Sequence, residues 1–370
     1  MVVGKDARTH ALVWKIAQSP LVEQVFAVPG NPGTALEPRT GNIANVPLNE
    51  LEAIVRCAQK QKIHLMVVGP EGPLVAGLAD RARERGIAVF GPGKEGARLE
   101  GSKCWAKSFL SRHGIPTAPH RCFPKAAGLS SEAEAFIRLH PLPMVIKKDR
   151  LAAGKGVKIA RTYEEAVSFA RVAIIEGDIV VEDFLPGDEL TYTCIVSNGV
   201  ILPLEPSQDH SHLTNDPESP LTGGMGAYSP VPWLTTAMEK RIMAEVVRPT
   251  VDGLKAEGIS YAGALYIGLM LTEHGPQVLE FNCRFGDPEA EALLMRLTSD
   301  LVPVLLDTAR GELRRGTLLH WANRASVALV LASPGYPDKP DVGYEITIPS
   351  ALLQQQSSVF RIFHAGTMRQ

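Results

Sequence analysis

At 370 residues the chain is too long for one ordinary domain, and its 45% hydrophobic and 21% charged content is that of a folded globular protein. Thirty-eight Lys and Arg against 40 Asp and Glu leave a formal charge of −2, which argues against a whole-surface electrostatic grip on nucleic acid or anionic lipid. No run approaches the roughly 20 apolar residues that cross a bilayer, and the opening MVVGKDARTHALVWKIAQ is charged too early for a secretory leader, so a cytoplasmic setting without nucleic-acid or membrane partners is expected.

Over the first hundred residues short β-rich runs alternate with helical patterns. VEQVFAVPG, HLMVVGP and IAVFGPG read as strands, each closed by a glycine or proline turn; LNELEAIVRCAQKQKI and PLVAGLADRARERG read as the intervening helices. This alternation predicts an open parallel sheet, whose ligands sit beyond the carboxyl ends of the strands. GSKCWAKSFLSRHGIPTAPH follows as a helix stopped by Gly114 and Pro116. PMVIKKDRLAAGKGVKIA predicts a β-hairpin with a small-residue tip, and TYEEAVSFARVAI a helix; the strands DIVVEDF and ELTYTCIV complete a small α+β unit. Beyond a Gly/Pro-rich loop come the helix AMEKRIMAEVVRPTVDGLKAEG and the strands YAGALYIGLML and PQVLEFNCRF; from Trp321 the pattern is mainly β, with strands at ASVALVLAS and EITI. Five scattered cysteines without a CxxC pair argue against a disulfide framework or a zinc site.

Four segments carry candidate chemistry. In QVLEFNCRFGDPE, strand periodicity puts Glu280, Asn282 and Arg284 on one face and Phe281 and Cys283 on the other. A carboxylate, an amide oxygen and a guanidinium together suit a hard divalent cation and phosphate, although a solvated edge strand with one salt bridge would look the same. Lys147, at the end of an apolar strand, requires an anionic partner, and the Ala152–Gly156 loop could close backbone N–H groups around phosphate. It is not a Walker A loop. In VVEDFLPGDEL a strand-to-turn segment could hold a base by its main chain, with Glu189 placed for hydroxyls. In TGGMGAYSP, Gly223, Gly224 and Gly226 permit close approach of the backbone to a ligand.

Taken in order, GSKCWAK, VIKKDRLAAGKGV, VVEDFLPGDE, PLEPSQDH, TGGMGAYSP and LEFNCRFGDPE resemble the glycinamide ribonucleotide synthetases, the phosphoribosylamine–glycine ligases of purine biosynthesis. PGNPGTALE and VVGPEGPLVAG extend the resemblance into the first hundred residues, and HAGT carries it close to the C-terminus. The resemblance implies an α/β and α+β multidomain architecture. Its parts would be a parallel-sheet preATP-grasp domain over residues 1–101, an ATP-grasp domain over 102–318 with a lid at about 118–186, and a small β-rich C-terminal domain over 319–370. It implies ATP and Mg²⁺ or Mn²⁺ as cofactors, glycine and phosphoribosylamine as substrates, a glycyl-phosphate intermediate, and a monomer or weak homodimer. By motif position Lys103 and Lys147 contact ATP phosphates under a Gly154–Lys155–Gly156 lid, backbone from Glu182 to Leu185 meets adenine, and Glu189 meets the ribose. Glu280 and Asn282 hold the metal, Arg284 the transferring phosphoryl, and Asp209, Asp287, Gly223 and Gly224 the glycine and amino-sugar site. Asn31, Pro70 and Glu71 hold the sugar phosphate.

The chain departs from that family where GSGGREHAL is usual: Gly4 is followed by KDARTHAL. If the replaced glycines needed positive φ, an anion-binding turn would be remodelled, and two lost hydrogen bonds to a phosphate would cost about 3–6 kcal/mol; with negative φ the cost is small. KKDR in place of KADG, Ser211-His212 after QDH, Pro220-Leu221 before TGG and an early stop after HAGT are further departures. Two other readings therefore stand beside an active glycine ligase: an ATP-grasp ligase with a different amine acceptor, and a nucleotide-binding paralogue without turnover.

Overall fold

The computed structural model describes residues 1–151, 156–216 and 218–369. The first five strands, β1 (Val2–Gly4), β2 (Val25–Pro29), β3 (Thr40–Asn42), β4 (Leu65–Val68) and β5 (Ala88–Phe90), form the expected parallel sheet in the order β3-β2-β1-β4-β5. The helix Leu51–Lys60 packs on it through Leu51, Ile54, Val55 and Ala58, one apolar stripe at helical spacing. The next predicted helix is split into Glu71–Val75 and Leu78–Glu84. Gly77 between them adopts φ +89°, left-handed geometry that interrupts the run.

A second sheet holds β6 (His120–Phe123), β7 (Met144–Lys148), β8 (Val157–Ala160) and β9 (Ile179–Asp183), antiparallel in the order β6-β9-β7-β8. The predicted hairpin is β7–β8. The strand ELTYTCIV does not join this unit. As β10 (Asp188–Ser197) it enters a third sheet with β11 (Val200–Pro203). The chain then forms β12 (Gln208–His212) and β13 (Leu221–Ser229) before returning as β14 (Ala262–Thr272) and β15 (Gly275–Asn282), giving the order β11-β10-β14-β15. The crossing is made at Gly187, with φ +155° and a would-be Cβ 2.3 Å from the Leu271 carbonyl oxygen, so that a side chain there would collide with β14.

The helix predicted from residue 237 runs through Thr236–Ile242 and Arg248–Ala256, with a widened π turn at Met243–Val247 just ahead of Pro249. Proline offers no N–H to the preceding turn, which relaxes into the wider spacing. Of the two C-terminal strands expected, β16 (Ser326–Leu329) forms and pairs with β13. Residues 345–348 form no strand, since no strand lies beside them among the described residues; a short helix, Ser350–Gln354, follows.

One apolar core runs from the parallel sheet into β10, β14 and β15, joining Val3, Met66 and Leu74 to Tyr192, Ile267 and Phe281. The β6–β9 sheet has its own core, with Ile137, Met144, Ala170 and Val181 fully buried. Ile137→Ala should therefore loosen that unit by about 2–5 kcal/mol: hydrogen exchange is expected to accelerate in β6–β9 while the amides of β1–β5 keep their protection.

Candidate active site

A cleft opens between the β6–β9 sheet, the β10–β14–β15 face and the carboxyl ends of the parallel strands. The metal-type side chains of β15 point into it. Asn282 Nδ2 donates to Glu280 Oε1 at 3.2 Å, and Arg284 Nη2 donates to Asn282 Oδ1 at 3.0 Å, so the three share a face as strand periodicity predicts. Phe281 and Cys283 are buried on the other side. Arg284 is also held by Glu100, at 3.0 Å, and lies 3.4 Å from Glu71, while its Nε has no hydrogen-bond partner among the described residues. Burial opposes the charge of Arg284, but these two carboxylates keep it protonated.

Across the cleft, Lys147 meets the anionic partner that its position demands. Its ammonium lies 2.6 Å from Glu182 Oε1 and donates to the Leu279 carbonyl on β15 at 3.0 Å. Lys107 lies 2.5 Å from Glu182 Oε2 and donates to Thr117 Oγ1 at 2.6 Å. Burial pushes the Glu182 carboxyl up, but the two lysines outweigh it and hold it below the ordinary carboxylate range. Burial pulls Lys107 down, whereas Lys147 is raised because Glu182 overcomes the same penalty. Glu182 thus contributes a side chain where only its backbone was expected. The backbone of Glu182 lies within the β-ladder opposite His120 and Val145, and beyond the end of β9 Leu185 lines the cleft. Lys103 caps the nearer edge, its Nζ donating to the Arg150 carbonyl at 3.1 Å. The Gly156 carbonyl accepts from Lys148 N at 2.8 Å at the base of the hairpin, while Gly154 and Lys155 lie outside the described residues.

Carboxyl groups crowd the cleft floor. Burial, then Glu189 and Glu280, push Asp209 up to about 6 against a hydrogen bond from Ser211. Burial, then Asp209, push Glu289 up to about 7, beside Thr191 and Tyr266. Glu189 is raised by desolvation and by Glu280. Asp287 is raised by burial and accepts from the Arg8 amide at 3.2 Å. A divalent cation fits this excess of negative charge: Glu280 is a hard oxygen donor facing the cleft, and Asn282 could offer Oδ1 if Arg284 shares it. Gly223 and Gly224 lie on β13, and a Cβ on Gly224, at φ +124°, would lie 2.6 Å from Pro288 Cδ. Only glycine lets this segment lie against the Asp287–Pro288 turn.

On the parallel-sheet side Pro70 lies two residues beyond β4, at the N-cap of the helix that begins at Glu71. Asn31 is engaged in holding its surroundings: Nδ2 donates to the Lys5 and His364 carbonyls at 3.0 and 2.6 Å, and Oδ1 accepts from Thr34 N at 3.0 Å. The altered turn after Gly4 is not strained at Asp6, whose φ is −79°. Its carboxylate takes the Thr9 amide at 2.9 Å and pairs with Arg8 at 2.5 Å, so an anion built into the chain sits at the start of the helix Ala7–Ala17.

Lys107, Glu100, Tyr266 and Glu289 were not singled out from sequence. Lys107 follows Lys103 by one helical turn, a signal present in GSKCWAK; nothing local marks Glu100, whose partner is 184 residues away. Outside the cleft, Cys104, Asp149 and Asp178 place ligand atoms within 4.8 Å of one another. The carboxylate of Asp149 accepts from Ser102 Oγ and Lys103 N, and that of Asp178 from Lys125 N.

Two consequences follow for stability. Glu182→Ala leaves two buried ammonium groups without their shared anion and should cost about 3–5 kcal/mol in denaturant unfolding. Glu289, with a folded value of about 7 against an ordinary 4.5, makes the folded state bind the extra proton between those values. The stability contributed by Glu289 should then fall as pH rises from about 4.5 to 7, by up to about 1.4 kcal/mol per pH unit, and be constant above. Glu289→Gln should flatten that slope in ligand-free unfolding measurements.

Comparison with known proteins agrees with this geometry. The family model for the phosphoribosylglycinamide synthetase N domain matches residues 1–100, and that for its ATP-grasp (A) domain matches residues 101–290. The chain is 45% identical to a phosphoribosylamine–glycine ligase of Salmonella typhi and 47% identical to that of Allochromatium vinosum, spanning 99% of this chain and 85–86% of each relative. The crystal structure of phosphoribosylamine–glycine ligase from Thermotoga maritima superposes with a TM-score of 0.82 at 31% identity, over 100% of this chain and 87% of that one. An Aspergillus clavatus carboxyaminoimidazole ribonucleotide synthase complexed with ATP shares the fold, with a TM-score of 0.67 at 16% identity over 92% and 82% of the two chains. With sheets, cleft and sequence in agreement, the chain belongs to the phosphoribosylglycinamide synthetase family of ATP-grasp proteins.

Proposed function

We propose that the protein ligates glycine to 5-phosphoribosylamine, forming glycinamide ribonucleotide with hydrolysis of ATP to ADP and phosphate. The observation that carries this reading is the opposition of two constellations across one cleft: Glu280 and Asn282 on β15 with Arg284 just beyond its end, and Lys147 reaching β15 from the facing sheet. Phosphoryl transfer asks a protein mainly for positioning and for positive charge around the moving group, and the residues supply both. Relatives of the same family are phosphoribosylamine–glycine ligases, which supports the substrate assignment.

In this reading Lys103 and Lys147 hold ATP phosphates, backbone around Leu185 meets adenine, and Glu189 accepts the ribose hydroxyls. Glu280 and Asn282 hold Mg²⁺ or Mn²⁺, which when bound neutralises phosphate charge. Arg284, anchored by Glu71 and Glu100, faces the phosphoryl oxygens. Gly223 and Gly224 admit glycine, whose carboxylate oxygen bonds to the γ-phosphorus as the bond to ADP breaks, giving glycyl phosphate. The amine of phosphoribosylamine then attacks the carbonyl carbon, phosphate departs, and Asp209, whose carboxyl burial pushes up to about 6, accepts the proton released by nitrogen. Asp287 borders the same space, and Asn31, Pro70 and Glu71 shape the sugar-phosphate end. Gly154, Lys155 and Gly156 are assigned the lid over the phosphates. The protein acts as a monomer or weak homodimer in the cytoplasm.

A coupled ADP-release assay with glycine and freshly generated phosphoribosylamine tests this: release must require both. Release with a different amine, or nucleotide binding without turnover, would replace the reading by one of its two alternatives. Glu280→Ala is expected to lower turnover at limiting Mg²⁺ by at least tenfold while shifting the unfolding midpoint little, because its side chain faces the cleft. Unchanged metal dependence in that variant would remove Glu280 from the metal site.

A further inference from the structure

The helix Glu289–Arg296 carries a second acid in its first turn that the reaction above does not use. Glu291 is 5% exposed, yet both of its carboxyl oxygens are buried and have no hydrogen-bond partner among the described residues. A native fold seldom leaves such a group orphaned, and when it does an absent ligand is one explanation. Glu291 lines the cleft, with Asp287, Arg8 and Asp6 as its charged neighbours. Asp6 and Arg8 open the helix that follows β1, and that helix packs on the one carrying Glu291, so this carboxyl group belongs to the parallel-sheet side of the cleft.

The Arg8 guanidinium near it is already committed: it donates to the Phe285 carbonyl at 2.8 Å and pairs with Asp6. Asp287, an acidic neighbour, takes the Arg8 amide instead. Among the described residues no cation pairs with Glu291, and its crowding by Asp287 and Asp6 makes it a poor seat for phosphate. What suits an orphaned carboxyl group in this setting is an uncharged donor, and a hydroxyl can both donate and accept.

We propose that Glu291 is a specificity-determining residue for the acceptor, hydrogen-bonding a ring hydroxyl of the pentose. This rests on the acceptor being a pentosylamine phosphate, as inferred above. Its amine then reaches toward β15 while its ring lies against the helix that carries Glu291. A site built to pair a hydroxyl discriminates strongly against an analogue lacking it, because the buried group is left without a partner.

The test compares parent protein with Glu291→Gln, Glu291→Leu and Glu291→Met, using acceptors made in situ from ammonia and ribose 5-phosphate or its 2-deoxy and 3-deoxy analogues. In the two apolar variants the KM for the ribosylamine is expected to rise at least tenfold, with the KM values for ATP and glycine and the kcat within about twofold. Preference for the full pentose over at least one deoxy acceptor should fall at least tenfold. Glu291→Gln, which keeps the shape and the hydrogen-bonding capacity, should hold the acceptor KM within about threefold. The melting temperatures of the apolar variants should not drop, since they remove an orphaned buried polar group. An unchanged acceptor KM in both apolar variants, or undiminished discrimination against both deoxy acceptors, overturns the role of Glu291. Failure of the parent protein to release ADP with the ribosylamine overturns the functional reading instead, and the two failures are told apart by the parent alone.

Discussion

Glu182 sits at the centre of this molecule's organisation. A carboxylate 2% exposed is tolerated only because two ammonium groups meet its two oxygens, and each comes from a different element. Lys107 belongs to the helix Lys103–Arg112, which packs beneath the third sheet; Lys147 belongs to β7 beside Glu182 on β9. Lys147 then extends one further hydrogen bond to the backbone of β15. The arrangement fixes the lateral position of the phosphate-facing lysine relative to the strand that carries Glu280 and Asn282. Because desolvated charges without partners are so unfavourable, the geometry has little room to drift.

The distribution of carboxylates divides the cleft into regions of different chemistry. Around Glu280, Glu189 and Asp209 the charge is uncompensated and suits a divalent ion with its phosphates. Around Arg284 the carboxylates have a cation to meet, and Glu71 and Glu100 together hold its one guanidinium in place. Near the parallel sheet Asp6 replaces an external anion at the first turn of its helix. The sugar end of the cleft is thereby less cationic than a glycine turn would leave it, and hydroxyl recognition carries correspondingly more of the discrimination.

Much of this was legible in the residues themselves. Period-two alternation alone put Glu280, Asn282 and Arg284 on one face, since a strand has no other way to arrange them. The rule against an unpaired buried ammonium was enough to require a partner for Lys147. What stayed hidden was long-range. Glu182 looked like one more acid before a Pro-Gly turn, and its role depends on a helix 75 residues earlier, where Lys107 lies. Glu100 and Arg284 meet across 184 positions. The migration of β10 to another sheet is equally non-local, because its run of Leu190, Tyr192 and Cys194 fits either sheet; the decision is made by a close approach at Gly187. Residues 345–348 have the composition of a strand, and composition does not supply a neighbour.

The hydrogen bond from Lys147 to the Leu279 carbonyl has a consequence for motion. Lys147 and Glu182 ride together on the β6–β9 sheet, whereas Leu279 and Lys107 do not. Any swing of that sheet away from β15 must part the ammonium from the carbonyl and stretch the Lys107 contact, both inside protein rather than in water. Dissolved ions screen such buried contacts poorly. The frequency of the swing should therefore be nearly indifferent to ionic strength, while capture of a polyanionic nucleotide at the open mouth is not.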